Sequence, residues 1–143
     1  MMDELELTVR RKIAAARKKV FDAWLSPEML SKFMNPPTGG VAPTRVATDP
    51  VQGGRFSIVM VTSEREIPHA GTYLEIDPHA RLAFTWESPY SLDDSVVTID
   101  FAELGPELTE ITLRHVKFKS ESARDGHQQG WTAIIEALEK IWG

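Results

Sequence analysis

The sequence predicts an α+β domain in which a curved antiparallel sheet of about six to seven strands packs on one long C-terminal helix, with two short helices after the first strand. Three observations carry this expectation. Runs of alternating apolar and polar residues recur from Leu5 to His115, the period of half-buried strands. The intervals between most of these runs are short and rich in Gly, Pro and Asp, which suits hairpins rather than crossover connections. The final segment then changes to helical spacing with one apolar stripe.

The elements follow in order. Leu5, Leu7 and Val9 alternate with Glu6, Thr8 and Arg10, predicting a strand that reaches Ile13. Val20, Phe21 and Trp24 then fall at helical spacing among Arg17, Lys18, Lys19 and Asp22, an amphipathic helix. Ser26 is placed to cap a second helix and Pro27 to open it, with Leu30, Phe33 and Met34 as its apolar face. Residues 35–44 hold Pro36-Pro37, Gly39-Gly40 and Pro43, a loop expected to act as a lid. Strands are expected around Val46, over Phe56, Ile58 and Met60, and over His69 to Ile76 after a polar turn at Ser63 to Pro68. Asp77-Pro78 predicts a turn, Leu82, Phe84 and Trp86 a strand, and Ser88 to Asp94 a loop. Val97, Ile99 and Phe101, the turn at Gly105-Pro106, and Thr109, Ile111, Leu113 and His115 complete the sheet. From about Glu121 to Trp142 a long helix carries Trp131, Ile134, Ile135, Leu138 and Trp142 on one stripe. A sheet with one apolar face and a helix with one apolar stripe bury both by packing together.

Composition bounds the function. At 143 residues the chain fits one domain, 1–143, large enough to bury roughly two thirds of its unfolded surface without a disulfide or metal. The net charge of -5 repels phosphate backbones, so no nucleic-acid partner is expected. The basic cluster Arg10-Arg11-Lys12 and Arg17-Lys18-Lys19 reads as a solvated strand end and helix face. The absence of cysteine removes thiol catalysis and cysteine metal sites. The four histidines lack metal-ligand spacing, so no metal and no cofactor are expected. The acidic start, Met1 to Glu6, is no signal peptide, and no run is long enough for membrane insertion, so a cytoplasmic location is expected. There is no GxSxG elbow, P-loop or GxGxxG fingerprint.

Several segments carry a family resemblance in their order and spacing. They are Val20-Phe21-Asp22-Ala23-Trp24 with Ser26-Pro27-Glu28, Gly53-Gly54-Arg55-Phe56, Gly71 to Pro78, Arg81 to Trp86, Thr109 to His115, and His127-Gln128-Gln129-Gly130-Trp131. Through these the chain resembles homologues of the activator of heat-shock protein 90 ATPase, within the START-like or SRPBCC superfamily. It departs at Ala16, where the family often has proline, and at Phe33, where it often has tryptophan. The resemblance implies a helix-grip fold with a cavity between sheet and long helix, of the sort that binds lipids, hormones, polyketides or aromatic compounds. The match is to the second domain of the two-domain co-chaperones of that name.

The residues expected to line such a cavity are Phe33 and Met34 from the second helix, and Phe56, Ile58, Met60, Tyr73, Phe84, Trp86, Ile99, Phe101, Leu113 and His115 from the sheet. His127, Trp131, Ile134, Ile135 and Leu138 join them from the last helix. Each is equally a core residue taken singly, and the expectation concerns the set. His115 shares a strand face with Ile111 and Leu113 and could serve a ligand as hydrogen-bond partner or acid–base group; His127 could meet it. Tyr73 and Glu75 are expected on one face, and Arg55 to pair with an acid or hold a ligand carboxylate. His69 and His79 are expected in or near turns, without a role. The functions these features suggest are binding of a small hydrophobic or aromatic molecule, a cyclase- or hydrolase-like activity on such a molecule, or a chaperone-accessory, stress-response interaction module. The chain is expected to be a monomer or homodimer.

Overall fold

The computed structural model describes residues 5–34, 43–88 and 95–142. Most of the expected 35–44 loop, with its lid role, and of the loop at Ser88 to Asp94 lies outside the described residues. Strand β1 (Glu6–Ile13) leads into helix α1 (Arg17–Ala23) and helix α2 (Pro27–Phe33). Strands β2 (Arg45–Thr48), β3 (Arg55–Val61), β4 (Glu66–Asp77), β5 (Arg81–Thr85), β6 (Val96–Gly105) and β7 (Leu108–Val116) follow. Helix α3 (Glu121–Trp142) ends the chain, over the range its apolar stripe predicts.

All strands pair antiparallel in the order β1-β7-β6-β5-β4-β3-β2. The two strands that flank α1 and α2 in sequence therefore occupy opposite edges of the sheet. The connection must cross it, and α1 and α2 make that crossing. Ser26 caps α2 as expected, its hydroxyl accepting from the Met29 amide at 3.3 Å, with Pro27 in the first turn where no amide is needed. Ala16 begins α1 with extended backbone and no side-chain cap.

Strand β4 starts earlier than its expected His69, and it serves two neighbours. Its first half pairs β3 and its second half pairs β5. A bulge between Tyr73 and Glu75 marks the change. The extra residue breaks the two-residue alternation, so Tyr73 is buried while Leu74 and Glu75 are both exposed. The expectation that Tyr73 and Glu75 share a face is corrected by this bulge. At the far end, Pro78 and His79 form the expected turn, His79 taking a φ of 69° and the Ala80 amide bonding the Asp77 carbonyl at 3.0 Å.

One side of the sheet carries Phe56, Ile58, Leu82, Phe84, Val97, Ile99, Ile111 and Leu113, all buried, against the α3 stripe of Trp131, Ile134, Ile135 and Leu138. The opposite side is charged and bridged by ion pairs: Arg114 with Glu6, Arg81 with Asp100, and Arg55 with Glu87. These are half-exposed, so solvent screening leaves each a small contribution to stability. Two members of the basic cluster are paired in the same way. Arg11 reaches Glu136 and Glu139 of α3, and Lys18 pairs with Asp22 one turn on. None of the described helices is long and apolar enough to cross a membrane.

Two glycines test this packing from opposite directions. Gly71 lies across from Phe56 in the β3–β4 ladder, and a Cβ there would collide with the Phe56 ring and the Thr85 carbonyl. Gly126 is an exposed position of α3 where a Cβ meets nothing within 4 Å. Gly71→Ala is expected to lower unfolding stability by about 2 kcal/mol or more. Gly126→Ala is expected to raise it by about 0.5–1 kcal/mol. Urea titrations of both variants check the pair.

Candidate functional site

The site follows from the helical crossing. Helix α1 packs on β6 and β7 and α2 on β2, and between these contacts Trp24, Leu30 and Met34 form one wall of apolar side chains opposite another from β3–β5. The sheet wall is aromatic: Phe56 sits 5.3 Å from both Tyr73 and Phe84, and Trp86 lies 6.2 Å from Phe56 and from Phe84. Gly71 makes this possible, since the Phe56 ring occupies the space its side chain would fill. The helix wall consists of Trp24, Leu30 and Met34, with Phe33 packed edge-on against Trp24 at 5.1 Å. Between the walls lies a cavity of about 10 Å³, the room of roughly one water. Its lining is Trp24, Leu30, Met34, Phe56, Ile58, Tyr73, Phe84 and Trp86.

The expected set of site residues divides accordingly. Met34, Phe56, Ile58, Tyr73, Phe84 and Trp86 border the cavity. Phe33, Met60, Ile99, Phe101, Leu113, Ile134, Ile135 and Leu138 are buried in the core around it and do not border it. Nor does α3 contribute lining residues, because the Trp131 indole closes the gap on that side, 4.8 Å from Trp86 and 6.4 Å from Trp24. The cavity thus sits under α2 rather than under the long helix. Trp24 and Leu30 are lining residues outside the expected set. Their helical spacing marked them as buried, but only the crossing turns them onto β3–β5.

Trp24 differs from its neighbours in one respect. It is 2% exposed, and its indole Nε1 is a buried donor with no acceptor among the described residues. The other polar groups among the lining side chains are the Trp86 indole N–H and the Tyr73 hydroxyl. Burial, helped by the Asp49 carboxylate, pushes the Tyr73 pKa up to about 12, so its hydroxyl is held neutral.

His115 points inward as expected and is fully buried. Its hydrogen bonds fix its tautomer. The Trp131 indole can only donate, and it donates to His115 Nδ1 at 3.0 Å. The proton therefore sits on Nε2, which donates to the Ser95 hydroxyl. Ser95 in turn donates to the Val116 carbonyl at 3.0 Å. Both ring nitrogens are thus engaged inside the protein. Burial, reinforced by nearby His127, pushes the His115 pKa down to about 3. His127 meets it edge-on at 5.3 Å, its own Nδ1 against the Ala123 carbonyl at 2.7 Å. Ser95 and Phe118, which lies 4.5 Å from His115, complete a cluster that sequence spacing does not bring together.

His69 lies in the strand it was expected to open, but three residues inside it, because the polar turn ends sooner than expected and Glu66 already pairs with Val61. The ring is half-buried, 4.9 Å from Trp86, with Nδ1 facing the Ile58 carbonyl at 3.3 Å. Burial pushes its pKa down to about 4. His79 does occupy the expected turn, its ring edge-on to Phe21 at 5.6 Å. Arg55 pairs with an acid, holding both Glu87 oxygens at 2.8 and 3.1 Å on the exposed side of the sheet. Among the described residues no group of three or more His, Asp or Glu side chains is placed to hold a metal.

A seven-stranded antiparallel sheet, two short helices after its first strand and a long helix on its inner face define a helix-grip, START-like protein. Residues 14–143 match the family described as Activator of Hsp90 ATPase homolog 1-like protein, and the chain belongs to that family. No curated protein matches it. Among solved structures, a protein from Chromobacterium violaceum is 19% identical over 96% of both chains, with a TM-score of 0.77. One from Mesorhizobium loti is 21% identical over 96% of both, also at 0.77. A Plasmodium falciparum protein described as an HSP90 activator is 18% identical over 96% of this chain and 95% of its own, at 0.75. Identities this low carry the fold alone.

The two buried histidines give stability a defined pH dependence. Each has a folded pKa below the 6.5 of the free side chain, so the unfolded chain takes up more protons once pH drops below about 6.5. Stability is therefore full above that value and declines as pH falls toward the folded pKa of about 4 for His69 and about 3 for His115. For His115 alone the loss at about pH 5 is on the order of 2 kcal/mol. Urea midpoints measured from about pH 7.5 to 5 are expected to show this decline, and His115→Asn to remove roughly half of it, the His69 share remaining.

Proposed function

We propose that this chain binds a small hydrophobic or aromatic molecule between α2 and the β3–β5 half of the sheet. The observation that carries the reading is a void between two apolar walls, bordered by Trp24, Leu30 and Met34 on one side and Phe56, Ile58, Tyr73, Phe84 and Trp86 on the other. Mostly apolar lining with few polar groups is the usual chemistry of a ligand pocket. At about 10 Å³ the resting cavity admits a body the size of a water, so a ligand enters as the walls part. The helix wall is the one that yields. The sheet wall is held by ladder hydrogen bonds to both neighbouring strands, whereas α2 is a helix of 7 residues anchored by Leu30 and Phe33. Met34, at its C-terminal end, carries an unbranched and adaptable side chain. The free energy of opening is subtracted from ligand affinity, which favours ligands with enough apolar surface to offset it.

The same observations weigh against the other readings. Catalysis through His115 would require a nitrogen that is already committed to Trp131 or Ser95. Tyr73, with its pKa raised to about 12, is a hydrogen-bonding group rather than a base near neutrality. An accessory role beside a chaperone, as named for the Plasmodium falciparum relative, calls for a contiguous docking face. The large exposed apolar residues among those described are Val51, Leu74, Leu104 and Leu108; the last two flank the β6–β7 turn, and the first two belong to other segments.

Titration with neutral aromatic probes such as naphthalene and indole tests the reading. Saturable binding is expected to raise the melting temperature, with about 2.7 kcal/mol of added stability at a hundredfold excess over Kd. It should also shift the NMR signals of Leu30, Met34 and Trp86. Met34→Trp, which fills the void from the helix wall, is expected to abolish both effects in a folded protein. Probes that leave melting and those signals unmoved would remove the proposal.

A further inference from the structure

The Trp24 indole stands out because buried donors almost always have partners, and leaving one unsatisfied is costly. It is 2% exposed, it forms part of the cavity wall, and no acceptor among the described residues reaches Nε1. The contrast with Trp131 is direct. That indole is buried to the same 2% and donates to His115 at 3.0 Å. Burial of a tryptophan in this core therefore does not by itself leave the N–H idle.

Resting on the ligand-binding reading above, we infer that the Trp24 Nε1–H is the polar anchor of the pocket and that the ligand is a neutral apolar ring or chain bearing one hydrogen-bond acceptor, such as a ketone, ester or ether oxygen. The rest of the wall sets the neutrality. None of the lining side chains carries a charge to balance an ionised ligand, and a buried ion without a partner is strongly disfavoured. The carboxylate of Asp49, near enough to act on the Tyr73 hydroxyl, adds repulsion against an anion. A cation gains no hydrogen bond from the Trp24 N–H, which donates only. A trapped water is the competing partner: the lining side chains include the Trp24 and Trp86 N–H groups and the Tyr73 hydroxyl, within the two to four polar partners such a water needs, and a ligand oxygen has to displace it.

The test uses acetophenone and ethylbenzene, similar in shape and differing by the carbonyl oxygen, with benzoate as the charged counterpart. Affinities are measured by calorimetry on the full chain, and the indole N–H resonances are followed in ¹⁵N spectra. Acetophenone is expected to bind roughly 3- to 10-fold more tightly than ethylbenzene, the worth of one neutral hydrogen bond. The Trp24 indole proton should move downfield with acetophenone only, and benzoate should bind more weakly than either. In Trp24→Phe the preference should fall to about unity, with no loss of unliganded stability from the missing donor beyond that of the smaller ring. If both neutral probes bind equally and the Trp24 proton stays in place, the anchor is refuted while the pocket stands. If neither binds, the pocket reading fails and takes the anchor with it. If the Trp24 proton exchanges magnetisation with a bound water that acetophenone does not displace, the anchor is likewise refuted. The wild-type indole signal decides the matter even if Trp24→Phe does not fold.

Discussion

The arrangement of this protein depends on one topological constraint: β1 pairs with β7 at one edge of the sheet, and β2 pairs with β3 at the other. The chain between them has to cross the sheet, and it does so as α1 and α2. Antiparallel pairing of consecutive strands from β2 to β7 leaves no other place for that connection. The inner face is consequently shared. The long helix α3 covers one part and the crossing covers the rest. Where Trp24, Leu30 and Met34 of the crossing face β3–β5, two independently formed apolar surfaces meet, and that seam is where packing leaves a void.

Polar groups on either side of Trp131 are treated in opposite ways. On the α3 side, Trp131, His115, Ser95 and the Val116 carbonyl form a chain in which each donor meets an acceptor. Such a chain is specific because breaking any link strands a buried group in a low-dielectric interior. It locks α3 to β7 and to the start of β6, and it keeps the His115 ring neutral. On the α2 side, Trp24 has the same indole and no such acceptor among the described residues. The saturated network makes a firm half of the core, and the unsaturated one leaves chemistry for something else to complete.

The bulge in β4 joins these halves. By breaking alternation between Tyr73 and Glu75, it lets one strand pair β3 along its first part and β5 along its second. Tyr73 is thereby kept on the inner face beside Phe56 and Phe84, while Leu74 and Glu75 turn outward. Gly71, two residues before, makes room for the Phe56 ring. A small stretch of one strand thus fixes much of the aromatic wall.

Periodicity determined the elements. Alternation in β1, β3, β6 and β7, the Ser26-Pro27 start of α2 and the stripe from Trp131 to Trp142 are local patterns, legible because side-chain spacing along one element depends only on its own backbone geometry. The antiparallel sheet on a C-terminal helix followed from them, as did the inward direction of His115. Local pattern did not reach the features that depend on contacts distant in sequence. Glu66 to Pro68 read as turn because Pro68 and the polar residues before it mask the start of a strand that exists through pairing with β3. Tyr73 and Glu75 read as one face because a bulge has no signature in alternation. A cavity was expected beneath α3; among the described residues Trp131 packs on Trp86 there, and the void described lies where Trp24 and α2 face β3–β5. Trp24 and Leu30 belong to the site only because the chain crosses from one edge of the sheet to the other. The sequence by itself determined which residues are buried and in which element. Tertiary structure alone decided which buried residue finds a partner, since hydrogen-bond satisfaction is a relation between elements and not a property of any one of them.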